Sequence, residues 1–160
     1  MGLFKHILVP TDFGEPSHRA LEMAVELAQA HGADLTVLHT FEVPSYPYEP
    51  YGEMSELPGR LLAPVEEAAR KNLLMPLEEA ARKKLDELVS SLSQRLPSTK
   101  GVLKVGIPWQ EILAVVKEAQ VDLLVMGTHG RRGMTHALLG SVAEKMVRMS
   151  PVPVLTVRTR

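Results

Sequence analysis

The sequence predicts a single α/β domain in which a doubly wound, five-stranded parallel sheet has helices on both faces. Two observations support this prediction. Short apolar runs, of the length expected for buried strands, alternate along the chain with segments whose apolar residues recur at helical spacing. In such a β-α-β order the connections are right-handed crossovers, which place helices on both faces of a parallel sheet.

The boundaries of the predicted elements follow from prolines, glycines and the apolar pattern. Residues 3–9 form an apolar run that ends at Pro10, which is consistent with a buried first strand. A helix follows, with Pro16 in its first turn and Gly32 at its end. The later strands are predicted over residues 34–40, 101–106, 121–126 and 152–157, and the later helices over 76–92, 108–116 and about 140–149.

Two stretches depart from this alternation. Residues 41–60 contain four of the twelve prolines and all three tyrosines, and they form either a solvated surface loop or a lid or docking segment. A near-repeat then follows, PVEEAARKNL from Pro64 and PLEEAARKKL from Pro76. Copies twelve residues apart are rotated by about 120° on one straight helix, so they cannot bury the same face. Because Pro76 also lacks an N–H group, we expect a helix break near residues 74–75.

Composition and charge narrow the classes of function. The 160 residues suit one domain over 1–160, with a variable loop and helical insertion at about 42–80. The 18 basic and 19 acidic residues argue against nucleic acid as a partner. The absence of cysteine excludes disulfides and thiol catalysis. Without a leader pattern or a run of about 18 apolar residues, we expect a cytoplasmic protein with no membrane partner.

The strongest motif follows the fourth predicted strand. Residues 126–146 read MGTHGRRGMTHALLGSVAEKM, which contains the pattern G-x2-G-x9-G-S from Gly127 onward. The pattern starts at the carboxyl end of a strand and leads into a helix. The first N–H groups of a helix lack intrahelical partners, and the helix dipole is positive at this end, so the motif predicts an anion site.

Individual residues of this motif have separate expected roles. Gly127 and Gly130 are expected to adopt turns with positive φ and to let the backbone approach a ligand closely. Ser141 either donates its hydroxyl proton to a phosphate or only caps the helix. Arg131 and Arg132 add positive charge beside the loop.

Two other strands end in candidate ligand groups. In doubly wound sheets, ligands bind beyond the carboxyl ends of the strands, where the strand order reverses. The first predicted strand ends in Pro10, Thr11 and Asp12, and an acidic group here either binds a ribose hydroxyl or caps the next helix. Thr40 ends the second strand, where its backbone N–H and C=O groups could bind an adenine edge.

Taken together, these residues resemble the ATP-binding branch of the universal stress protein family. The resemblance covers nearly the whole chain outside about 42–80, and with it we expect the strand order 3-2-1-4-5, with the last strand at a sheet edge. The similar segments are KHILVPTDF (5–13), LTVLHT (35–40), VGIPWQEIL (105–113), the glycine motif (127–141) and PVPVLTVR (151–158).

The resemblance implies a nucleotide site at named positions. Asp12 would face the ribose, Thr40 would present its backbone to adenine, and Met126 would pack on the nucleoside. Mg²⁺ or Mn²⁺ would accompany ATP and be held mainly by the phosphates, so no protein metal site is expected. The remaining members of the implied site are Pro10 and Thr11 beside the adenosine, Gly127, Thr128, His129, Gly130, Arg131 and Arg132 around the ribose and phosphates, and Gly140, Ser141 and Val142 closing on the phosphates.

The implied function is an ATP-binding regulatory protein of the stress response, in which nucleotide occupancy modulates a homodimer. We expect antiparallel pairing of the C-terminal strand near residues 155–158, because Pro151 and Pro153 lack N–H groups. No catalytic residue is assigned, since the glycine loop has no carboxylate to act as a base, and at most a weak ATPase is expected. Two alternatives stay open: an adenine-nucleotide enzyme that hydrolyses ATP slowly or adenylates, and an interaction module without nucleotide.

Overall fold

Strands and helices alternate along the chain in the computed structural model, which describes residues 2–42, 64, 67–129 and 139–159. A π-helical segment, Arg70–Leu74, leads directly into the second α-helix. Of the helices so described, none has the length and apolar character needed to span a membrane. The strands are β1 (His6–Thr11), β2 (Asp34–Phe41), β3 (Thr99–Val105), β4 (Leu123–Gly127) and β5 (Val154–Val157), and the helices are α1 (Glu15–His31), α2 (Met75–Ser93), α3 (Pro108–Glu118) and α4 (Ser141–Met149).

The five strands form one parallel sheet in the order β3-β2-β1-β4-β5, which confirms the predicted fold class. β1 pairs with β2 along its whole length, from His6 opposite Asp34 to Thr11 opposite His39. β5 and β3 lie at the two edges. The central position of β1 explains why its apolar residues are consecutive, since both of its faces are covered.

Apolar side chains are buried on both faces of the sheet. On one face α1 and α2 pack over the strands, and on the other face α3 and α4 do so. Each fully buried aliphatic side chain stabilises the fold by about 1.5–3 kcal/mol. The largest buried members are Ile7, Leu21, Leu35 and Leu85 on the first face, and Leu8, Leu38, Ile112, Leu124 and Met146 on the second.

The first helix begins and ends as its sequence predicts. Pro16 lies in the first turn of α1, where a missing N–H group breaks no helical hydrogen bond. Gly32 follows the helix in the left-handed conformation, with φ 64° and ψ 35°, and its N–H group donates to the carbonyl oxygen of Ala28. This conformation favours glycine because it has no Cβ.

The first and last strands begin later than the apolar pattern predicts. The N–H groups of Lys5 and His6 donate to the Asp122 carboxylate over 2.8 and 3.1 Å, which fixes the entry to β1 at residue 6 instead of residue 3. β5 begins at Val154 instead of residue 152. Pro153 has no N–H group for the ladder, although its carbonyl oxygen accepts the N–H of Leu124 at 3.0 Å.

The helix break expected near residues 74–75 is absent, and the chain stays helical from Arg70 into α2. The N–H group of Met75 donates to the carbonyl oxygen of Arg70, five residues earlier, as in a π-helix. The ring of Pro76 would crowd the preceding turn of a regular α-helix and leave one carbonyl without a donor. The wider π-helical turn accommodates this proline without ending the helix.

Candidate functional site

The strand order reverses between β1 and β4, and ligands of doubly wound sheets bind in the crevice beyond the carboxyl ends of the strands at such a point. The two strands pair at Ile7–Leu123 and Leu8–Leu124, and their pairing ends there. Beyond these pairs, β1 continues beside β2 to Thr11 and β4 continues beside β5 to Gly127, but the two strands are not paired with each other. The predicted ligand groups of β1 and β4 follow directly after this separation.

The carboxylate of Asp12 organises the turn that joins β1 to α1. Its Oδ1 atom accepts the N–H of Gly14 and the hydroxyl of Ser17, each at 2.8 Å. The hydroxyl of Thr11, a buried residue, accepts the N–H of Phe13 at 3.0 Å and lies 3.2 Å from the Ser17 hydroxyl. Asp12 thus holds the turn before α1 but does not cap the helix, because α1 has Gly14 as its N-cap residue and no side-chain cap hydrogen bond. The contact of Asp12 with a ribose stays a prediction.

Two residues at this edge were missed by the sequence analysis. Phe13 has φ 61°, a left-handed conformation that is rare for a bulky side chain and is held only where the surroundings impose it. Its ring centroid lies 4.5 Å from that of His39, whose Nδ1–H donates to the carbonyl oxygen of Thr11 at 2.7 Å. Nothing in the local sequence signals a positive φ at a phenylalanine.

Pro10 and Thr40 both lie beside this turn. Pro10 is half-buried in β1 and pairs with Leu38 of β2. Thr40 is half-buried near the end of β2, one residue beyond the partner of Thr11. The structure therefore brings the predicted adenosine-facing residues of both strands to the same edge.

The end of β4 is connected to the start of α4 through Thr128. Met126 is buried in the core beneath the edge. Thr128 is 3% exposed; its N–H donates to Val157 of β5 at 3.2 Å, and its carbonyl oxygen accepts the N–H of Gly140 at 2.6 Å. These bonds hold the two ends of the glycine motif together although about a dozen residues separate them in sequence.

Gly127 does not have the positive φ that was expected of it. Its requirement for glycine is steric, because a Cβ atom at this position would lie 2.8 Å from both the carbonyl carbon and oxygen of Pro16. The first turn of α1 therefore rests directly on the backbone of β4. A side chain at position 127 would force the two elements apart.

His129 contains a buried polar atom without a partner. Its Nδ1 atom lies 3.0 Å from the hydroxyl oxygen of Thr128, whereas its Nε2 atom is enclosed and has no hydrogen-bond partner among the described residues. Among the described residues it is the one buried side-chain nitrogen or oxygen in this condition. An unsatisfied group of this kind costs about 1–3 kcal/mol, which a ligand or a water molecule can offset.

The start of α4 lies beside this histidine. Gly140 is the N-cap residue, with φ −61° and ψ 158°, and no side chain caps the helix, so the alternative that Ser141 is only a cap is wrong. Ser141 is exposed as the first helical residue, and Val142 is half-buried against the core. The predicted residues Gly130, Arg131 and Arg132 lie outside the described part of the chain.

Acidic and imidazole groups do not gather into a metal site anywhere in the described ranges. The carboxylate of Asp12, after β1, is engaged in the turn before α1. Mg²⁺ and similar ions favour several oxygen ligands. The described residues therefore do not fit a metal bound by the protein itself.

Comparison with known proteins finds relatives that align with nearly the whole chain. A universal stress protein of Thermus aquaticus is 35% identical over 98% of this chain and 100% of its own length. The universal stress protein MJ0577 of Methanocaldococcus jannaschii is 29% identical, over 99% of this chain and 97% of its own. The solved structure of MJ0577 aligns with a TM-score of 0.79 over 99% of this chain and 98% of that one.

A further solved structure, a universal stress protein in complex with cAMP, aligns with a TM-score of 0.64 at 22% identity, over 98% of this chain and 99% of that one, and shows the same fold. The family model described as "Universal stress protein family" matches residues 3–158. The chain therefore belongs to the universal stress protein family.

Proposed function

We propose that this protein is a single nucleotide-binding domain that binds an adenine nucleotide, ATP foremost, in the crevice between the ends of β1 and β4. We further propose that nucleotide occupancy modulates a homodimer in a stress response. The observation that supports the site most directly is the unpaired, buried Nε2 atom of His129. A phosphate oxygen would give this nitrogen the acceptor it lacks when Nε2 carries the proton.

The start of α4 supports the same ligand class. Gly140 and Ser141 place a helix N-terminus beside His129, and the first N–H groups of that helix have no intrahelical acceptors. The positive end of the helix dipole also favours an anion there. Three independent kinds of group, an imidazole, backbone N–H groups and the Ser141 hydroxyl, would thus meet the phosphates.

The other end of the crevice suits a nucleoside. A ribose hydroxyl would donate to the Asp12 carboxylate, which lies in the turn between β1 and α1. The backbone of Thr40 would face the adenine. Divalent metal would be held by the phosphates, and in the absence of a base beside them we propose binding with at most slow hydrolysis.

The edge strand β5 is the proposed dimer surface. It ends the sheet on one side, so its outer N–H and C=O groups have no strand to pair with in the described chain. Exposed apolar side chains flank it, namely Leu155 on the strand and Val147 and Met149 on α4. Antiparallel pairing with a second copy would satisfy the strand and cover part of this apolar surface.

Calorimetry and thermal unfolding with ATP and Mg²⁺ test the proposal. At a hundredfold excess over Kd, a ligand bound only by the native state stabilises it by about 2.7 kcal/mol. At about 2–4 °C per kcal/mol, Tm should rise by about 5–11 °C. Sedimentation with and without ATP should show a dimer whose dissociation constant depends on the nucleotide. Absence of both heat and thermal shift at millimolar ATP would overturn the proposal in favour of the interaction module.

The variant His129→Ala should bind ATP about 10- to 100-fold more weakly, the value of a hydrogen bond to a charged group. His31→Ala is the matched control, because His31 lies at the far end of α1 and contacts the Phe4 ring. That control should keep the affinity of the unchanged protein. Equal affinities in both variants would remove His129 from the site.

A further inference from the structure

We infer that Gly127 and Ser17 are positioning residues for ribose recognition, because together they hold the first turn of α1 and thereby the carboxylate of Asp12. The inference rests on the proposed function, since it concerns how the same crevice would distinguish a ribose. It assigns the recognition of a ribose to contacts among β4, α1 and the end of β1.

The first step is the contact between β4 and α1. Gly127 leaves no gap for a Cβ, because that atom would lie 2.8 Å from the Pro16 carbonyl carbon and oxygen and 3.0 Å from its Cβ. The two nearest atoms belong to the backbone, so no side-chain rotation can relieve the contact. The height of the first turn of α1 above the sheet is therefore set by the glycine at position 127.

The second step runs from α1 to the carboxylate. Ser17 directly follows Pro16 and is 6% exposed, and its hydroxyl lies within hydrogen-bond distance of two acceptors, Asp12 Oδ1 at 2.8 Å and the Gly14 carbonyl oxygen at 2.9 Å. The Thr11 hydroxyl already accepts the N–H of Phe13, so its own proton is available for the Ser17 oxygen at 3.2 Å. This buried chain of hydroxyls fixes the direction of the carboxylate relative to α1.

The two steps connect the two sides of the crevice. β1 and β4 are not paired beyond Leu8 and Leu124, so sheet hydrogen bonds do not fix the distance between Asp12 and the end of β4. The route from Gly127 through Pro16 and Ser17 replaces them. A ribose hydroxyl bound by Asp12 is then held at a set distance from phosphates bound near Ser141.

The test is the ratio of affinities for ATP and 2′,3′-dideoxy-ATP, measured by calorimetry. The unchanged protein should prefer ATP by about 10- to 100-fold, and Asp12→Asn should lose most of that preference. Ser17→Ala and Gly127→Ala should each reduce it to a few-fold. Ser141→Ala should weaken both ligands by the same factor and keep the preference.

Two variants control for a merely structural effect. Gly101→Ala in β3 introduces a Cβ 2.9 Å from a methyl group of Val89 in α2, and Ser93→Ala in α2 removes a hydroxyl bonded to the Val89 carbonyl oxygen. Gly101→Ala should lower stability to urea, and both variants should leave the ratio of affinities unchanged. If Gly127→Ala does not fold, Ser17→Ala decides the inference alone.

The outcomes separate the inference from the proposed function. If Ser17→Ala keeps the full ratio, or if Asp12→Asn does so, the positioning role is overturned while ATP binding by the unchanged protein still supports the site. If the unchanged protein binds neither nucleotide, the proposed function fails and the inference with it. The inference is supported if the ratio of affinities falls in Ser17→Ala and Gly127→Ala. The same ratio should be unchanged in the controls Gly101→Ala and Ser93→Ala.

Discussion

The two copies of the near-repeat are both largely exposed, but only the second ends in a buried leucine, although eight of their ten residues are identical, counting PVEEAARKNL against PLEEAARKKL. The described residues of the first copy, Pro64 and 67–73, are all exposed. The second copy begins α2 and packs on the sheet. Its final leucine, Leu85, is 1% exposed, whereas the corresponding Leu73 is 45% exposed.

The sequence difference between the copies also bears on the candidate site. Asn72 of the first copy corresponds to Lys84 of the second, and the Lys84 ammonium lies 5.9 Å from the centroid of the Phe13 ring. Phe13 follows Asp12 in the turn at the end of β1. The second copy therefore supports both the core and the edge where the site lies.

The comparison shows that burial depends on the angular position of a residue around the helix axis relative to the sheet. The local sequence motif does not decide it. Leu85 meets β3 where Gly101 leaves room; a Cβ at Gly101 would lie 3.2 Å from the Cγ of Leu85. Twelve residues of α-helix shift the phase by about 120°, and the π-helical turn between the copies changes it again. The first copy has no strand beneath it in the described chain.

The largest expected effect comes from truncating the buried leucine. Leu85→Ala should lower the free energy of unfolding by about 2–5 kcal/mol, because it removes buried methyl groups and leaves a cavity against β3. Urea denaturation measures this loss. Leu73→Ala is the matched control and should change stability by less than about 0.5 kcal/mol, as for an exposed site. Equal losses in the two variants would contradict the comparison.

A smaller effect is expected from making the second copy resemble the first at one position. Lys84→Asn should destabilise the fold by about 0.5 kcal/mol more than Lys83→Asn, because only Lys84 has a described contact with the Phe13 ring. The two variants share the same change in helix propensity, so their difference isolates the contact. Identical urea midpoints would show that Lys84 adds nothing to the turn at Phe13.

The smallest effect is expected from deleting one repeat unit, residues 64–75. The described part of this unit is exposed, and shortening a connection of this length changes its closure entropy by well under about 1 kcal/mol. The free energy of unfolding and the thermal shift with ATP should both stay close to those of the full chain. A large loss of either would mean that the first copy has a role in the fold or the site.

The sheet and its two covered faces could be predicted because consecutive apolar residues such as Ile7 and Leu8 mark a strand buried on both sides. Strand ends were less predictable. β3 begins at Thr99, two residues before the predicted start, because its pairing with β2 uses backbone groups and does not require apolar side chains at an edge. Apart from Pro76, no feature of the sequence indicated the π-helical turn.

The candidate site was predictable at the level of strand ends, and less so at the level of contacts. Asp12 and Thr128 follow strands whose carboxyl ends must meet, so topology alone brings them together. The contact of Gly127 with Pro16 joins residues more than a hundred positions apart, and the motif suggested a turn instead. Sequence spacing cannot show the distance between two packed elements, which is what selects glycine there.

The unpaired nitrogen of His129 has a consequence for the evolution of this chain's stability. In the free protein, an enclosed atom without a partner makes the fold less stable by about 1–3 kcal/mol than an apolar side chain of similar shape would. Selection for stability alone would replace the histidine. Under the proposed function, a ligand that accepts a hydrogen bond from Nε2 would offset this cost. His129 would then represent a trade-off between the stability of the fold and ligand binding.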